Sequence, residues 1–507
     1  MVLAGILLFQ PAIVAWGGAL IIGLSLARAM TLLSVARVRG AGFEMVWRNG
    51  GRTLRVPKGQ TAELLAEVRN RDTRAVRFSQ LRVISSPCIR IEIESAAGEV
   101  PAGGRLEVVV KVSGQRVGRH GLFGLALELR GSPGLFEVPL TFSNPYGVEV
   151  LPAYPSHAQR AEPSGGSASG TRMSRRTGDS TEFSELRDHQ LGDPLGRVAW
   201  KASARRGRLL VRQYEHEDRE LVWFLLDASL ELWSGVIGAA PLDLAIDCVG
   251  DLGRQHLRAG RDVGLALIAN GRVTRLAPGR GVAQERRLLE ALVDTPTSIE
   301  PERSSLDERG IAHKVFEHLT ALAPADAQRV VAGDLEAVAA LARRMLEQAP
   351  FPERRVLAAT PRESLLRSYL AAYGISVPPR LEGRDPLTEA ALGEQIVALT
   401  RGRQQGGLLY IVSPFPDERR LADLAPALRK ARKGRTRICW LHPPELPGLQ
   451  PPTDPAGRIA RIAAALRSET ERRRAEVQLR RFGVRASACA PGDAHALQAQ
   501  AREEALL

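Results

Sequence analysis

Cysteine is nearly absent from this chain. Cys88, Cys248, Cys439 and Cys489 are the four in 507 residues, and no two form a C-x-x-C pair. That excludes a disulfide framework at this size and leaves no zinc-ligand spacing, so reduced, mostly buried thiols are the remaining reading. Aromatics make up only 5% of the residues, and no basic stripe interleaved with them appears, as a nucleic-acid surface would need. The chain also lacks G-x-x-x-x-G-K-[ST], H-E-x-x-H and G-x-S-x-G, the signatures of phosphate loops, zinc proteases and serine hydrolases. Gly279 and Gly281, beside Pro278 and Arg280, read as a turn. His313 and His318 fall on different faces of a helix, and His189 and His216 have no partner motif, so none reads as catalytic.

Charge is missing from Val2 to Ala27 as well. As a helix this run spans roughly 39 Å, enough to cross a bilayer, and Pro11 bends it or marks where the regular helix begins. Ala27-Arg28-Ala29 has some likeness to a cleavage site. The length of the run and the lack of a basic residue ahead of it favour an uncleaved anchor. Arg28, Arg37 and Arg39 follow with no acid before Glu44. The positive-inside rule then predicts a single-pass membrane protein with its C-terminal bulk in the cytoplasm.

Positive charge is what the chain has in excess, a formal net of +14. An anionic partner fits: nucleic acid, a membrane surface or an acidic protein face. The bases are mostly scattered arginines, which argues against nucleic acid. The cluster Lys201, Arg205, Arg206, Arg208 and Arg212 is followed by Glu215, Glu217, Asp218 and Glu220, which favours internal pairing. A second cluster, Arg429 to Arg437, reads as the solvated end of a helix, where cations suit the dipole.

The length implies about two to four domains. After the anchor, residues 1–35, residues 36–152 read as an immunoglobulin-like β-sandwich. Thr61–Val68, Ile89–Ile93, Leu106–Val112 and Leu122–Leu129 combine alternation with β-branched residues between turn signals. Residues 153–180 are Ser/Gly-rich and read as a flexible linker. From Leu221 onward, strands alternate with helices, which predicts a doubly wound, mostly parallel α/β sheet over residues 181–507. Residues from about 305 to 400 are Ala/Leu/Arg-rich and read as a helical insertion, with a strand over Arg355–Ala358.

The stretch Thr181–Glu217 organises the chain. It is dense in charge yet interleaved with Phe183, Leu186, Val198 and Trp200. Buried charges need partners, so Arg187 or Arg205 is expected to pair with Glu182 or Asp193, with Trp200 packed against the α/β domain. The apolar run that follows ends at Asp227, just where open α/β sheets place their ligands.

This order resembles the domain of unknown function 58 family, whose pattern is roughly EF-x-x-LR-x-Y-x-x-GD, an Arg, a DW pair and an AR pair, then a strand ending D-x-S-x-S. Glu182, Phe183, Leu186, Arg187, Gly192, Asp193, Trp200, Ala204 and Arg205 match it. His189 stands where the family has Tyr, Gly196 where it has Arg, and Ala199 where it has Asp. The resemblance implies a von Willebrand factor A-like domain with a divalent-cation site. Asp227 and Ser229 match that site, Glu231 replaces its second Ser, and Ser413-Pro-Phe follows the Leu408 strand where relatives have Ser-Asp; Asp417 is a substitute ligand. Hard oxygens suit Mg²⁺, but a set this degraded implies a weak site, or an Asp227 that only caps backbone. The resemblance further implies a non-enzymatic, membrane-anchored interaction or scaffold protein acting with a MoxR-type AAA+ ATPase on client proteins. The alternative is a basic-surface nucleic-acid-binding protein or a hydrolase.

Overall fold

The computed structural model describes residues 10–93, 97–130, 134–153, 172–177, 183–189, 198–218, 220–233, 235–269, 272–299, 306–331, 333–353, 356, 358, 360–375, 377, 386–400, 407–416, 418–433, 436–443 and 454–489. Its contacts divide the chain into two units. One comprises residues 1–154, 236–239 and 292–383, the other 155–235, 240–291 and 384–507.

The elements in chain order begin with α1 (Pro11–Ala41), then β1 (Phe43–Trp47), β2 (Thr53–Pro57), β3 (Thr61–Asn70), β4 (Val76–Ser85), β5 (Ile89–Ile93), β6 (Gly98–Val100), β7 (Arg105–Gly114), β8 (Gly118–Arg130) and β9 (Glu137–Leu151). Next are β10 (Arg172–Thr177), β11 (Phe183–Asp188), α2 (Trp200–Arg206), β12 (Leu210–Asp218), β13 (Leu221–Asp227), α3 (Leu230–Trp233), α4 (Pro241–Arg258), β14 (Asp262–Ala269), β15 (Arg272–Gly279) and α5 (Gly281–Ile299). Then come α6 (Glu308–Leu322), α7 (Pro324–Ala327), α8 (Leu335–Met345), α9 (Pro361–Tyr373) and α10 (Pro386–Thr400). The series ends with β16 (Leu408–Val412), α11 (Glu418–Lys433), β17 (Arg437–His442), α12 (Pro455–Arg481) and β18 (Val484–Ala488).

In the first unit, α1 starts on Pro11, where a missing N–H costs nothing, and stops at Gly42, whose φ of 87° is left-handed. Among the described residues it is the one helix long and apolar enough to cross a membrane. Its first two-thirds leaves large apolar groups such as Trp16, Leu20, Ile22 and Leu26 exposed, whereas Thr31, Val35 and Val38 are buried. Pro11–Met30 is roughly 30 Å long, the thickness of a bilayer's hydrocarbon core. The remaining turns belong to the folded body, because Val35 and Val38 join the core of the sheets. Arg37 Nε also donates to Asp72 Oδ2 at 2.7 Å.

Two sheets share that core, one ordered β1-β3-β7-β5 and the other β2-β9-β8-β4-β6. The alternation seen in the sequence sets the register: Leu64 lies opposite Val110, and Ala66 opposite Val108, all buried. The four segments expected to be strands here fall in β3, β5, β7 and β8. Helices α6, α8 and α9 build a second apolar core around Ile311, Leu319, Leu366 and Tyr369. They meet the strands closely: Ser86 Oγ donates to the Gly374 carbonyl at 2.7 Å, and the Phe123 ring stands edge-on to His318 at 5.3 Å. The expected helical insertion is thus divided, α6–α9 with the first unit and α10 with the second. Of the strand expected over residues 355–358, residues 355 and 357 lie outside the described residues, and Val356 and Ala358 belong to no strand.

In the second unit, a six-stranded sheet runs β15-β14-β13-β16-β17-β18, parallel except for the antiparallel edge β15. β13 and β16 are buried almost throughout, which is why both read as unbroken apolar runs. Trp440, Leu392, Leu424 and Leu428 fill a core with Leu225 and Ile411. A smaller sheet, β10-β12-β11, precedes it. β10 lies inside the stretch expected to be a linker; pairing with β12 satisfies its backbone groups.

Candidate functional site

Topology singles out one place in the second unit. From β13 the chain passes through α4 to β14 on one side, and later places β16 on β13's other flank. The strand order therefore reverses between β13 and β16, and open α/β sheets leave a crevice at the carboxyl ends of such a pair. Asp227 ends β13, and Ser413 follows β16.

The two side chains meet. Ser413 Oγ donates to Asp227 Oδ2 at 2.8 Å, and the Ser229 N–H donates to Oδ1 at 3.0 Å. Asp227, Ser229 and Ser413 are each 0% exposed. Ser413 is fixed on three sides, since its N–H donates to the Leu441 carbonyl at 3.2 Å and its own carbonyl accepts from Trp440 Nε1 at 3.0 Å. One strand along, His442 ends β17 and stacks on Phe415 with ring centroids 4.3 Å apart. Burial, helped by the Arg472 charge, pushes His442 down to about 4, so it is a neutral ring at physiological pH.

A divalent cation was implied here. The Asp227 carboxylate and the Ser413 hydroxyl are hard oxygens in kind, but both Asp227 oxygens already accept bonds and Asp227, Ser229 and Ser413 are 0% exposed, which fits poorly an ion that keeps several waters. No cluster of three or more His, Cys, Asp or Glu occurs among the described residues, so Asp227, Ser229 and Ser413 are the residues that would hold it. Asp417 and the side chain of Glu231 lie outside the described residues. Sequence reasoning noted Ser413 only for the Pro that follows it. The available signal was a Ser at the end of the second buried run, beside the switch point.

The family pattern supplies a second surface. Ala199 and Ser203 are buried, and the α2 backbone is pinned to β12: Ala199 N–H donates to the Leu210 carbonyl at 2.8 Å, and Leu210 N–H to Ser203 Oγ at 2.9 Å. Small residues thus occupy the inward side of this seven-residue helix. Trp200, one position on from Ala199, faces outward and is 62% exposed. This corrects the expectation that Trp200 packs inside. Lys201, Ala204, Arg205, Arg206 and Arg208 are exposed around it, and Arg208 pairs with Asp188 at 3.0 Å. Glu220, expected to serve this cluster, bonds Arg261 and Arg437 instead. Glu182, Gly192 and Asp193 lie outside the described residues, as do the side chains of Phe183, Leu186, Arg187, Arg212 and His216.

No curated protein matches the chain. Solved structures match short parts of it. PapD-like domain 7 of human CEP192 is 14% identical over 22% of this chain and 88% of its own, with a TM-score of 0.18. The secreted serine protease VesC of Vibrio cholerae is 15% identical over 25% of this chain and 26% of its own, TM-score 0.17. A FixG-related protein of Vibrio parahaemolyticus is 13% identical over 20% of this chain and 94% of its own, TM-score 0.13. Likenesses this slight carry no argument about fold or activity. The sequence itself is more specific: residues 185–346, from within β11 to the end of α8, match the family described as Protein of unknown function DUF58.

Proposed function

We propose that this is a membrane-anchored interaction protein whose partner surface is centred on Trp200. The observation that carries the reading is a Trp left 62% exposed by a helix whose inward positions are fixed by backbone bonds. Trp and Arg are the residues that dominate binding energy at protein interfaces. Exposed Lys201, Arg205 and Arg206 make an acidic partner face the complementary one.

On this reading the two-sheet body is an immunoglobulin-like β-sandwich, and the six-stranded sheet is a von Willebrand factor A-like domain. The chain crosses the bacterial inner membrane once, with both units in the cytoplasm. The partner class implied by the family resemblance is a MoxR-type AAA+ ATPase, and the role is assembly or activation of client proteins. A Mg²⁺ at Asp227 would have to displace the Ser413 hydroxyl from a carboxylate that is 0% exposed, so any binding there is expected to be weak.

Affinity capture from detergent-solubilised membranes, with the native protein and Trp200→Ala side by side, tests this. Recovery of an AAA+ ATPase with the native chain and its loss from the variant is the expected result. Equal recovery from both removes Trp200 from the interface, and capture without any ATPase removes that partner class.

A further inference from the structure

The 27-residue helix α12 buries only Ala475 and Leu479. At roughly 100° per residue, that pair looks one way along the helix and Ile459, Ile462, Leu466 and Val477 look the other. Those four are 69%, 60%, 64% and 54% exposed; Ile459, Ile462 and Leu466 are continuous, whereas the paired Glu469 and Arg473 separate them from Val477. Scattered single apolar residues on a surface need no explanation, but an aligned stripe marks an interaction site. The same helix carries eight arginines against three glutamates. Glu469 accepts from Arg472 and Arg473, and Glu476 from Arg472, so two of the three acids are matched locally. Arg467 and Arg474 are exposed beside the stripe.

Three occupants compete for it. A coiled-coil partner needs apolar residues every 3.5 positions over several heptads. Counting on from Ile459 and Ile462, the seam positions are Leu466, Glu469, Arg473, Glu476 and Arg480, so the seam fails after one heptad. A second copy would set arginine against arginine. An anionic bilayer needs only a few aliphatics sunk at the headgroup boundary with cations at phosphate level. The first turns of this helix supply the aliphatics, Ile459, Ile462 and Leu466 lying within about 60° of one another, and Arg467 and Arg474 supply the cations. With α1 spanning a membrane as proposed above, on which this reading rests, a bilayer is held at high effective concentration for any second membrane contact.

We propose that α12 lies in the headgroup region of an anionic membrane, with Ile459, Ile462 and Leu466 toward the acyl chains and Arg467 and Arg474 on lipid phosphates. The test uses the full chain reconstituted in vesicles of phosphatidylcholine alone or mixed with phosphatidylglycerol. A polarity-sensitive dye is placed on Leu466→Cys, or on Ala464→Cys, an exposed site on the other side of the helix. The native thiols leave this labelling selective: Cys88, Cys248 and Cys489 are buried, and burial pushes Cys439 up to about 12.

The expected result is a blue-shifted Leu466 dye, quenched by bilayer-borne quencher only when phosphatidylglycerol is present, with Ala464 unaffected. Arg467→Glu and Arg474→Glu should each lower the quenched fraction at least about fivefold. A Leu466 dye that stays in water in both lipids overturns the proposal, as does a shift that follows protein density rather than lipid. A quencher response unaltered by either charge reversal overturns the phosphate contacts. A dye on Ile22→Cys in α1 reports the anchor separately; quenching there with none at Leu466 defeats this proposal while leaving the anchor standing.

Discussion

Asp227→Ala strips the acceptor from two buried donors at once, the Ser229 N–H and the Ser413 hydroxyl. A buried donor left unsatisfied costs about 1–3 kcal/mol. The vacated carboxylate leaves space for a water, so the lower half of the summed range applies, about 2–4 kcal/mol. The loss should fall on the β13–β16 pair, which Ser413 ties to β17 through the Leu441 carbonyl. Native-state hydrogen exchange of the full chain in detergent resolves it. By the same energy, amides of Leu408–Val412 should exchange roughly 30- to 1,000-fold faster in the variant. Asp227→Asn is the control. It keeps an acceptor for Ser229, and the Ser413 hydroxyl turns to accept from its NH₂, so protection should stay within about 1 kcal/mol of native. Calorimetric titration adds the metal: weak Mg²⁺ binding by the native chain, none by Asn. If Ala, Asn and native chains all exchange alike across β16, the carboxylate does not hold this strand pair. If native and Asn chains bind Mg²⁺ equally, the cation is not at Asp227.

Trp200→Ala should leave thermal stability within about 0.5 kcal/mol of native, because the side chain is mostly in solvent; a large fall in melting temperature would show that it packs after all. His318 is pushed down by burial to about 4 from its ordinary 6.5. Between those values the unfolded chain binds a proton that the folded chain does not, so stability drops as pH falls from 6.5 to about 4, by ~1.4 kcal/mol for each pH unit. Melts of the full chain across that window should show the slope, and His318→Phe should reduce it, leaving the share that His442 contributes with the same sign. Gly374→Ala meets two obstacles: φ is +67°, and a Cβ there would lie 2.5 Å from the Gly121 nitrogen. A loss of at least about 2 kcal/mol is expected, and an unchanged melt would mean that the α9 terminus does not press on β8 in solution.

Much of the second unit's framework was legible in the sequence, because buried parallel strands write themselves as unbroken apolar runs. Leu221–Leu226 and Leu408–Val412 needed no tertiary information to be found. The helices over 308–373 were legible as helices, but their allegiance was not. Their apolar faces say that something covers them, while only close contacts such as Ser86 with Gly374 say which strands do. Trp200 was misread for a related reason. Its character favours burial, but the positions fixed inward in so short a helix are set by Ala199 and Ser203, and which turn docks on β12 is a matter of backbone bonds. Asp227 was found by its place at the end of a strand, whereas the pairing with Ser413 depends on a strand order that no local pattern encodes.

The joint between α1 and the sheets has a mechanical consequence. Val35 and Val38 sit in the sheet core, and Arg37 is clasped by Asp72. Burial opposes ionisation of Asp72, but the Arg37 hydrogen bond and charge, with backbone donors, hold its carboxyl below the usual range. There is thus no swivel between α1 and the strands that follow it. Membrane-spanning helices lean by roughly 20° on average, and lean further where the bilayer thins. A flexibly tethered domain would ignore that lean, but here the β-strands are the far arm of the same lever. With α1 spanning a membrane as proposed, bilayer thickness and tension become inputs that this first unit feels as a rotation.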